Sequence, residues 1–385
     1  MRYLLLTLLL GFTFSAQTQS PYLKQLLKNT KPAIVARAQW AMQQSPQTIT
    51  AFRCDRSAGG VHDFYSEGDY WWPDPANPDG PYIQRDGQSN PDNFVAHRQA
   101  MIRCSRVMGA LAAGYVATKD NTYLQQALLH AKAWFEDSTT RMNPSLLYAQ
   151  AIKGKATGRG IGIIDTIHFM EVVQALRIME KAGAIPAADL AAIKGWFTAY
   201  LQWLTTHPYG KDEMNAANNH GTCWVMQVAA FARFVDNREL MDFCINRYKT
   251  VLLPAQMAAD GSFPQELRRT KPYGYSLFNL DAMSTICQLL STPGNDLWQY
   301  KVDKNRNIAK GITFMYPFVK DKTTWPYTHD VMYWNNWPVA QPFLIFGAAA
   351  FKNDDYYRLW LLLEHDPKVE EVLRNLPVRN PVIWM

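Results

Sequence analysis

Asn218-Asn219-His220-Gly221-Thr222-Cys223-Trp224-Val225-Met226-Gln227-Val228-Ala229-Ala230-Phe231-Ala232-Arg233-Phe234-Val235 reads as an apolar helix from His220 to Val235, with asparagine where an N-cap belongs. A second helical pattern follows at once, from Arg238 to Leu252, so the two form a hairpin. The same alternation runs through the rest of the chain. Helices are expected over 22–42, 93–115, 122–137, 165–179, 187–206, 277–290, 298–314, 339–351 and 355–363, with a probable-break signal at Pro32 and a cap at Asp165. Strand-like alternation is scarce. Five hairpins after an N-terminal helix, without close sequence repetition, describe an all-α chain. They favour an (α/α) toroid or incomplete barrel of about five to seven helical hairpins over a solenoid with one shared consensus.

In such a toroid each hairpin supplies one inner and one outer helix, so the N-termini of the inner helices share a rim. If the first helix of each hairpin is the inner one, that rim collects 93–98, 165–168, Asn219, His220, Tyr275 and 334–337. Parallel helix N-termini concentrate positive potential there, which favours a bound carboxylate.

The chemistry of these residues points the same way. Asn219, His220, Arg269 and Tyr275 bring together an amide, an imidazole, a guanidinium and a phenol. The set suits removal of a proton beside a carboxylate: the amide and cations neutralise the acid, and the phenol or imidazole moves the proton. Each residue also has an ordinary reading as a cap, a solvated side chain or a packing group; it is the combination that points to catalysis. Trp224 and Arg268 are further candidates for substrate contact. No carboxylate pair, metal-ligand spacing or cofactor motif stands out, so neither a metal nor a cofactor is expected.

The chain has 385 residues, of which 48% are hydrophobic and 13% aromatic, and this excludes general disorder. Thirteen Trp and nineteen Tyr are many; they suit either a packed core or stacking against sugar rings, and composition alone does not separate the two. The net charge of +6 comes without a dense basic run or a nucleic-acid motif, so nucleic acid is not an expected partner, whereas an acidic polymer is. Residues 1–20 read as a secretory signal too short for a membrane span, leaving 21–385 as one exported domain, periplasmic or secreted. Five cysteines are an odd number, and four of them sit in helical patterns where buried free thiols are expected. Oligomeric state is not legible.

Residues 45–91 break the helical pattern with Gly, Pro, Asp and aromatics, and a loop of that length is usually functional or a lid. Within it Tyr70, Trp71 and Trp72 form either a sugar platform or a self-packed cluster. Arg85 pairs either with a substrate carboxylate or locally with Asp86. His168 faces the rim if the toroid is right, and otherwise is a core or surface histidine. His329 and Trp334 precede another inner helix and are candidates for substrate contact.

Asn219-His220 opening an apolar helix, then Asp260-Gly261-Ser262-Phe263-Pro264-Gln265-Glu266-Leu267-Arg268-Arg269 and the downstream Tyr275, resemble the alginate lyase superfamily of α/α toroids. Gly68-Asp69-Tyr70-Trp71-Trp72-Pro73 and Arg85-Asp86-Gly87 add to the likeness, which spans roughly residues 60 to 350. The resemblance implies a polysaccharide lyase that cleaves a uronic-acid polymer, alginate or glucuronan, by β-elimination. It implies that Asn219 neutralises the substrate carboxylate, that His220 does the same or acts as base, that Arg269 stabilises a phenolate, and that Tyr275 is base, acid or both. The separation of Arg269 and Tyr275 is one residue shorter than in the family pattern, and Arg268 would restore it. Two rivals stand beside this reading. A glycoside hydrolase would need a carboxylic acid pair drawn from Asp165, Glu171, Glu266 and Asp281. A glycan-binding protein would need the aromatics alone.

Overall fold

A computed structural model describes residues 21–385, so the leader read at 1–20 lies outside the described residues. The chain opens with α1 (Pro21–Met42), α2 (Ala96–Thr118) and α3 (Thr122–Phe135). Next come α4 (Phe169–Lys181), α5 (Ala187–Thr206), the short α6 (Pro208–Met214), α7 (Asn219–Phe234) and α8 (Arg238–Arg247). Two four-residue helices, α9 (Leu253–Gln256) and α10 (Pro264–Leu267), lead into α11 (Pro272–Leu290) and α12 (Ile308–Lys320). The last hairpin is α13 (Pro342–Phe351) with α14 (Asp354–Leu362), followed by α15 (Glu370–Arg374).

The inner wall is α2, α4, α7, α11 and α13, each packed on the next in chain order, with α3, α5, α8, α12 and α14 outside. Burial explains the division. Every residue of α7 from Gly221 to Ala232 is buried, as are most of α11 and the first seven residues of α13. A helix apolar on all sides has to sit inside. The outer helices bury one stripe: α8 buries Cys244 and α14 buries Tyr357 and Trp360. Asparagines start several of these helices, their side chains accepting from backbone N–H groups: Asn218 from His220, Asn237 from Leu240, Asn307 from Lys310 and Asn353 from Asp355. The five cysteines form no disulfide.

Three local expectations are corrected. Pro32 does not break α1, because the carbonyl it orphans belongs to exposed Lys28, where water can take the bond. The helix expected over 298–314 is α12, about ten residues later; the Asn307 cap sets its start, and 303–306 form a turn around Asp303. Asp165 caps nothing. It lies within a 3-10 segment, Gly160–His168, and accepts from Ser66 Oγ and from Arg98.

The 45–91 segment is also more ordered than a bare loop. Its β1 (Tyr65–Glu67) pairs in parallel with β4 (Tyr148–Ala151), and β2 (Trp71–Trp72) forms a small hairpin with β3 (Ile83–Gln84). These short strands carry Tyr70 and Trp71 over the N-terminal rim.

The start of α11 depends on a distant carboxylate. Asp330 accepts from the N–H groups of Tyr273 and Gly274, each at 2.9 Å. Asp330→Ala strands both buried donors, and the expected loss is about 2 kcal/mol of unfolding free energy, read as a lower denaturant midpoint with an unchanged slope.

Candidate active site

At the head of α7 two residues are fixed by two buried carboxylates. The backbone N–H of Asn219 donates to Glu266 Oε1 at 2.7 Å and its side-chain amide donates to Oε2 at 2.8 Å. Glu266 comes from α10, whose short turn brings it beneath α7. An acceptor there orients the amide nitrogen, and one of the two amide protons stays available to the cleft. Burial pushes the Glu266 carboxyl up, and the Asn219 donors pull it back down.

His220 Nδ1–H donates to Glu213 Oε1 at 2.7 Å; the imidazole side chain is 20% exposed and the glutamate 0%. Nε2 is then the nitrogen offered to the cleft. With Nδ1 committed to Glu213, Nε2 can accept a proton or, on a protonated ring, donate to a substrate carboxylate.

Opposite stands Tyr275, in the first turn of α11. Its phenol lies 2.8 Å from that of Tyr70 and accepts from Arg269 Nη2 at 3.5 Å, while the guanidinium sits 4.5 Å from the ring centroid. Arg269 is held by Asp86 at 2.8 Å, and Thr270 donates to the same carboxylate. The register ambiguity is thereby settled in geometry. Arg268 points away, exposed, with Nε on the Pro264 carbonyl. The expectation that an adjacent arginine makes Tyr275 easy to ionise is corrected. Burial pushes the phenol well above its ordinary range and Tyr70 adds to this, while Arg269 offsets only part of the rise.

These residues line one narrow cleft of about 90 Å³, closed on one side by Tyr70 and Trp71 and shared with Gln150, Arg159 and Arg374. Arg159 donates to the Gln150 carbonyl, lies 5.7 Å from the Trp71 ring centroid, and is pushed down to about 10 by burial. Behind Tyr70 lies a buried charged network. Arg374 and Arg98 both pair with Asp69, and Lys271 pairs with Glu371 while standing 5.0 Å from the Tyr70 ring centroid. Burial works against the Asp69 carboxylate, yet Arg374 and Arg98 hold it down at about 2. The cleft therefore presents cations and phenols to an anionic ligand.

Several sequence candidates lie elsewhere. His168 is buried, its Nε2 against the Arg374 carbonyl, because the 3-10 turn before α4 rotates it inward. Trp224 is buried and donates to the Leu204 carbonyl, one turn past the rim. Trp334 packs edge-on against Tyr273 and stacks on His329 at 4.0 Å, outside the cleft. Arg85 lies over Trp72 at 5.2 Å and leaves Asp86 to Arg269, so neither Arg85 nor Trp72 lines the cleft. Glu213, Gln150, Arg159, Lys271 and Arg374 escaped sequence reasoning. Among the described residues no group of three His, Cys, Asp or Glu side chains is placed to hold a metal ion.

The carboxylates a hydrolase would need are committed elsewhere. Glu171 accepts from Asn380 and Trp384, Asp281 accepts from the Phe343 N–H, and Glu266 lies behind Asn219. Asp69 and Asp86 do line the cleft, but each is paired with arginine and held low, so neither offers the protonated acid that hydrolysis requires.

A family model described as alginate lyase matches residues 48–325. Among solved structures, an alginate lyase from Bacteroides ovatus shares 30% identity with a TM-score of 0.80, covering 94% of this chain and 97% of that one. Alginate lyase A1-III from Sphingomonas species A1 shares 17% identity with a TM-score of 0.57, covering 95% and 99%. A substituted form of alginate lyase A1-III complexed with a tetrasaccharide shares 16% identity with a TM-score of 0.61, covering 95% and 98%. At these two identities the likeness is one of fold. A search of curated proteins finds no match.

Proposed function

The chain belongs to the alginate lyase family and is a polysaccharide lyase, and from that premise we propose that it cleaves alginate by β-elimination in the cleft between α7 and α11. The observation that carries the site assignment is the convergence of Tyr275 and Arg269 with Asn219 and His220 in one cationic cleft. Asn219 and His220 hold the uronate carboxylate, neutralising the charge that would otherwise keep the C5 proton unreactive. Loss of that proton gives an enolate-like intermediate, which expels the oxygen at C4. Tyr275 returns a proton to the departing oxygen.

The source of the base depends on the sugar. In mannuronate the C5 proton and the C4 oxygen share a face, so one ionised Tyr275 both takes and returns the proton. In guluronate they lie on opposite faces, and His220 Nε2 is the base. The two routes differ in pH dependence. Since burial keeps the Tyr275 phenol protonated, its basic form grows roughly tenfold per pH unit below its pKa. On polymannuronate kcat/KM is expected to climb steadily from neutral into alkaline pH. A profile that levels off near neutrality would assign the base to the imidazole instead.

The substrate test is ultraviolet absorbance on polymannuronate, polyguluronate, glucuronan and a neutral glycan, since elimination creates a C4=C5 double bond conjugated to the carboxylate. A rise on the alginate blocks supports the proposal. A rise confined to glucuronan moves the substrate within the uronans, and new reducing ends without absorbance would refute elimination. The 45–91 segment acts as a lid in this reading, since its Tyr70 and Trp71 close one side of the cleft. The leader-like residues 1–20 support export, where such a polymer would be met.

A further inference from the structure

A second groove lies between α1, the middle of α2 and the segment after α14, and shares no lining residue with the catalytic cleft. It has a cavity of about 280 Å³ lined by Arg37, Trp40, Arg106, His365, Asp366 and Arg379. Past Arg37 and Arg379 it runs into an adjoining cavity of about 210 Å³ along the side of α1.

The charges in the groove do not balance. Three guanidiniums and Lys368 face two carboxylates: Asp366 lies 3.8 Å from Arg106 and is also paired with Lys368, and buried Glu171, held by Asn380 and Trp384, acts on Arg37 and Arg379 from behind. Arg37 has no hydrogen-bonded or ion-paired partner among the described residues. Arg379 donates Nε to the Leu376 carbonyl at 3.1 Å and one terminal nitrogen to the Leu373 carbonyl at 2.6 Å, leaving its other terminal nitrogen without a partner among the described residues. Burial pushes Arg37 down, and burial together with Arg106 pushes Arg379 down to about 9. Cations crowded this way are stabilised by an added anion, and guanidinium forks match a carboxylate in two-pronged geometry.

The groove also has a surface for a sugar ring. Trp40 lines the groove and is 37% exposed, with the Arg106 guanidinium 5.3 Å from its ring centroid, so the two form one cationic, aromatic edge. Ala36, Leu373 and Leu376 supply apolar walls. An apolar face rimmed by a few fixed cations fits a ring carrying a carboxylate better than it fits a bare inorganic anion.

We propose that this groove is a second, non-catalytic site for a short uronate oligosaccharide, with carboxylates on Arg37, Arg106 and Arg379 and a ring on Trp40. The proposal rests on the reading of the protein as a uronan lyase. Its position suggests a link to catalysis, since one short segment serves both sites: Arg374 and Asn375 line the catalytic cleft, while Leu373, Leu376 and Arg379 line the groove.

The test is equilibrium binding of a saturated trimannuronate to the Tyr275→Phe protein, alone and combined with Arg37→Gln or Trp40→Ala. Two sites are expected, and each groove substitution lowers the affinity of one of them by roughly tenfold, without changing the thermal midpoint. A single site, or a second site indifferent to both substitutions, overturns the proposal. Inorganic phosphate competing as well as the trimer at the second site also overturns it, because the groove would then be a general anion site. Elimination is measured separately on otherwise wild-type protein carrying Arg37→Gln, and its rate on short oligosaccharides is expected to be unchanged. Absence of any ultraviolet product from the wild type would refute the catalytic reading whatever the number of sites, whereas one site with elimination intact refutes this proposal alone.

Discussion

Tyr275→Phe lowers the rate of elimination on alginate by roughly 10²–10⁴-fold, the range for losing a positioned proton-transfer group, while the protein folds and binds substrate as before. The fold survives because the ring stays: Phe keeps the apolar disc beneath the Arg269 guanidinium and the buried packing of α11. What disappears is the hydroxyl between Tyr70 and Arg269. The measurement is kcat from ultraviolet absorbance beside a binding isotherm, and the loss is expected in kcat with little change in affinity. Tyr70 is the hydroxyl best placed to compensate, its phenol standing 2.8 Å away. Should the variant keep activity within a few fold of wild type, adding Tyr70→Phe decides whether Tyr70 took over. If the double variant is also active, Tyr275 is not the proton donor.

Much of this site was legible because its signals are local. Asn218 and Asn219 before an apolar run mark a helix start, and a phenol within a turn of another helix start marks a second one. The hairpin alternation then brings both to one rim. The groups that tune those residues were not legible, because they come from far along the chain or from segments without a pattern. Asp86 meets Arg269 across 183 positions, and Lys271 meets Glu371 across 100. Glu213 lies in Pro208–Met214, seven residues of mixed polarity that resemble a loop until α6 forms. Misreadings came from cues that fit more than one outcome. The apolar spacing after Trp298 suggested a helix, but the turn around Asp303 and the cap at Asn307 moved the start downstream. His168 fell on the expected rim, but a 3-10 turn differs in pitch from an α-turn, and the ring faces inward.

Glu213→Gln is expected to lower elimination on the order of 10²-fold, although Glu213 touches no substrate. The carboxylate is fully buried, with one oxygen on His220 Nδ1 and the other without a hydrogen-bond partner. Burying a charge with an unsatisfied oxygen costs free energy, so a purely structural role would be served as well by an amide. Glutamine retains the size and can still accept from Nδ1 through its carbonyl, which preserves the ring orientation. It removes only the negative charge that faces Nδ1. In a His220→Ala background the same substitution should add almost nothing, because its whole effect passes through the imidazole. Additive losses would make Glu213 a packing residue and remove the argument that it acts through His220. A non-additive loss would identify the buried glutamate as the group that positions His220 for either of its roles, holding the carboxylate or accepting the proton.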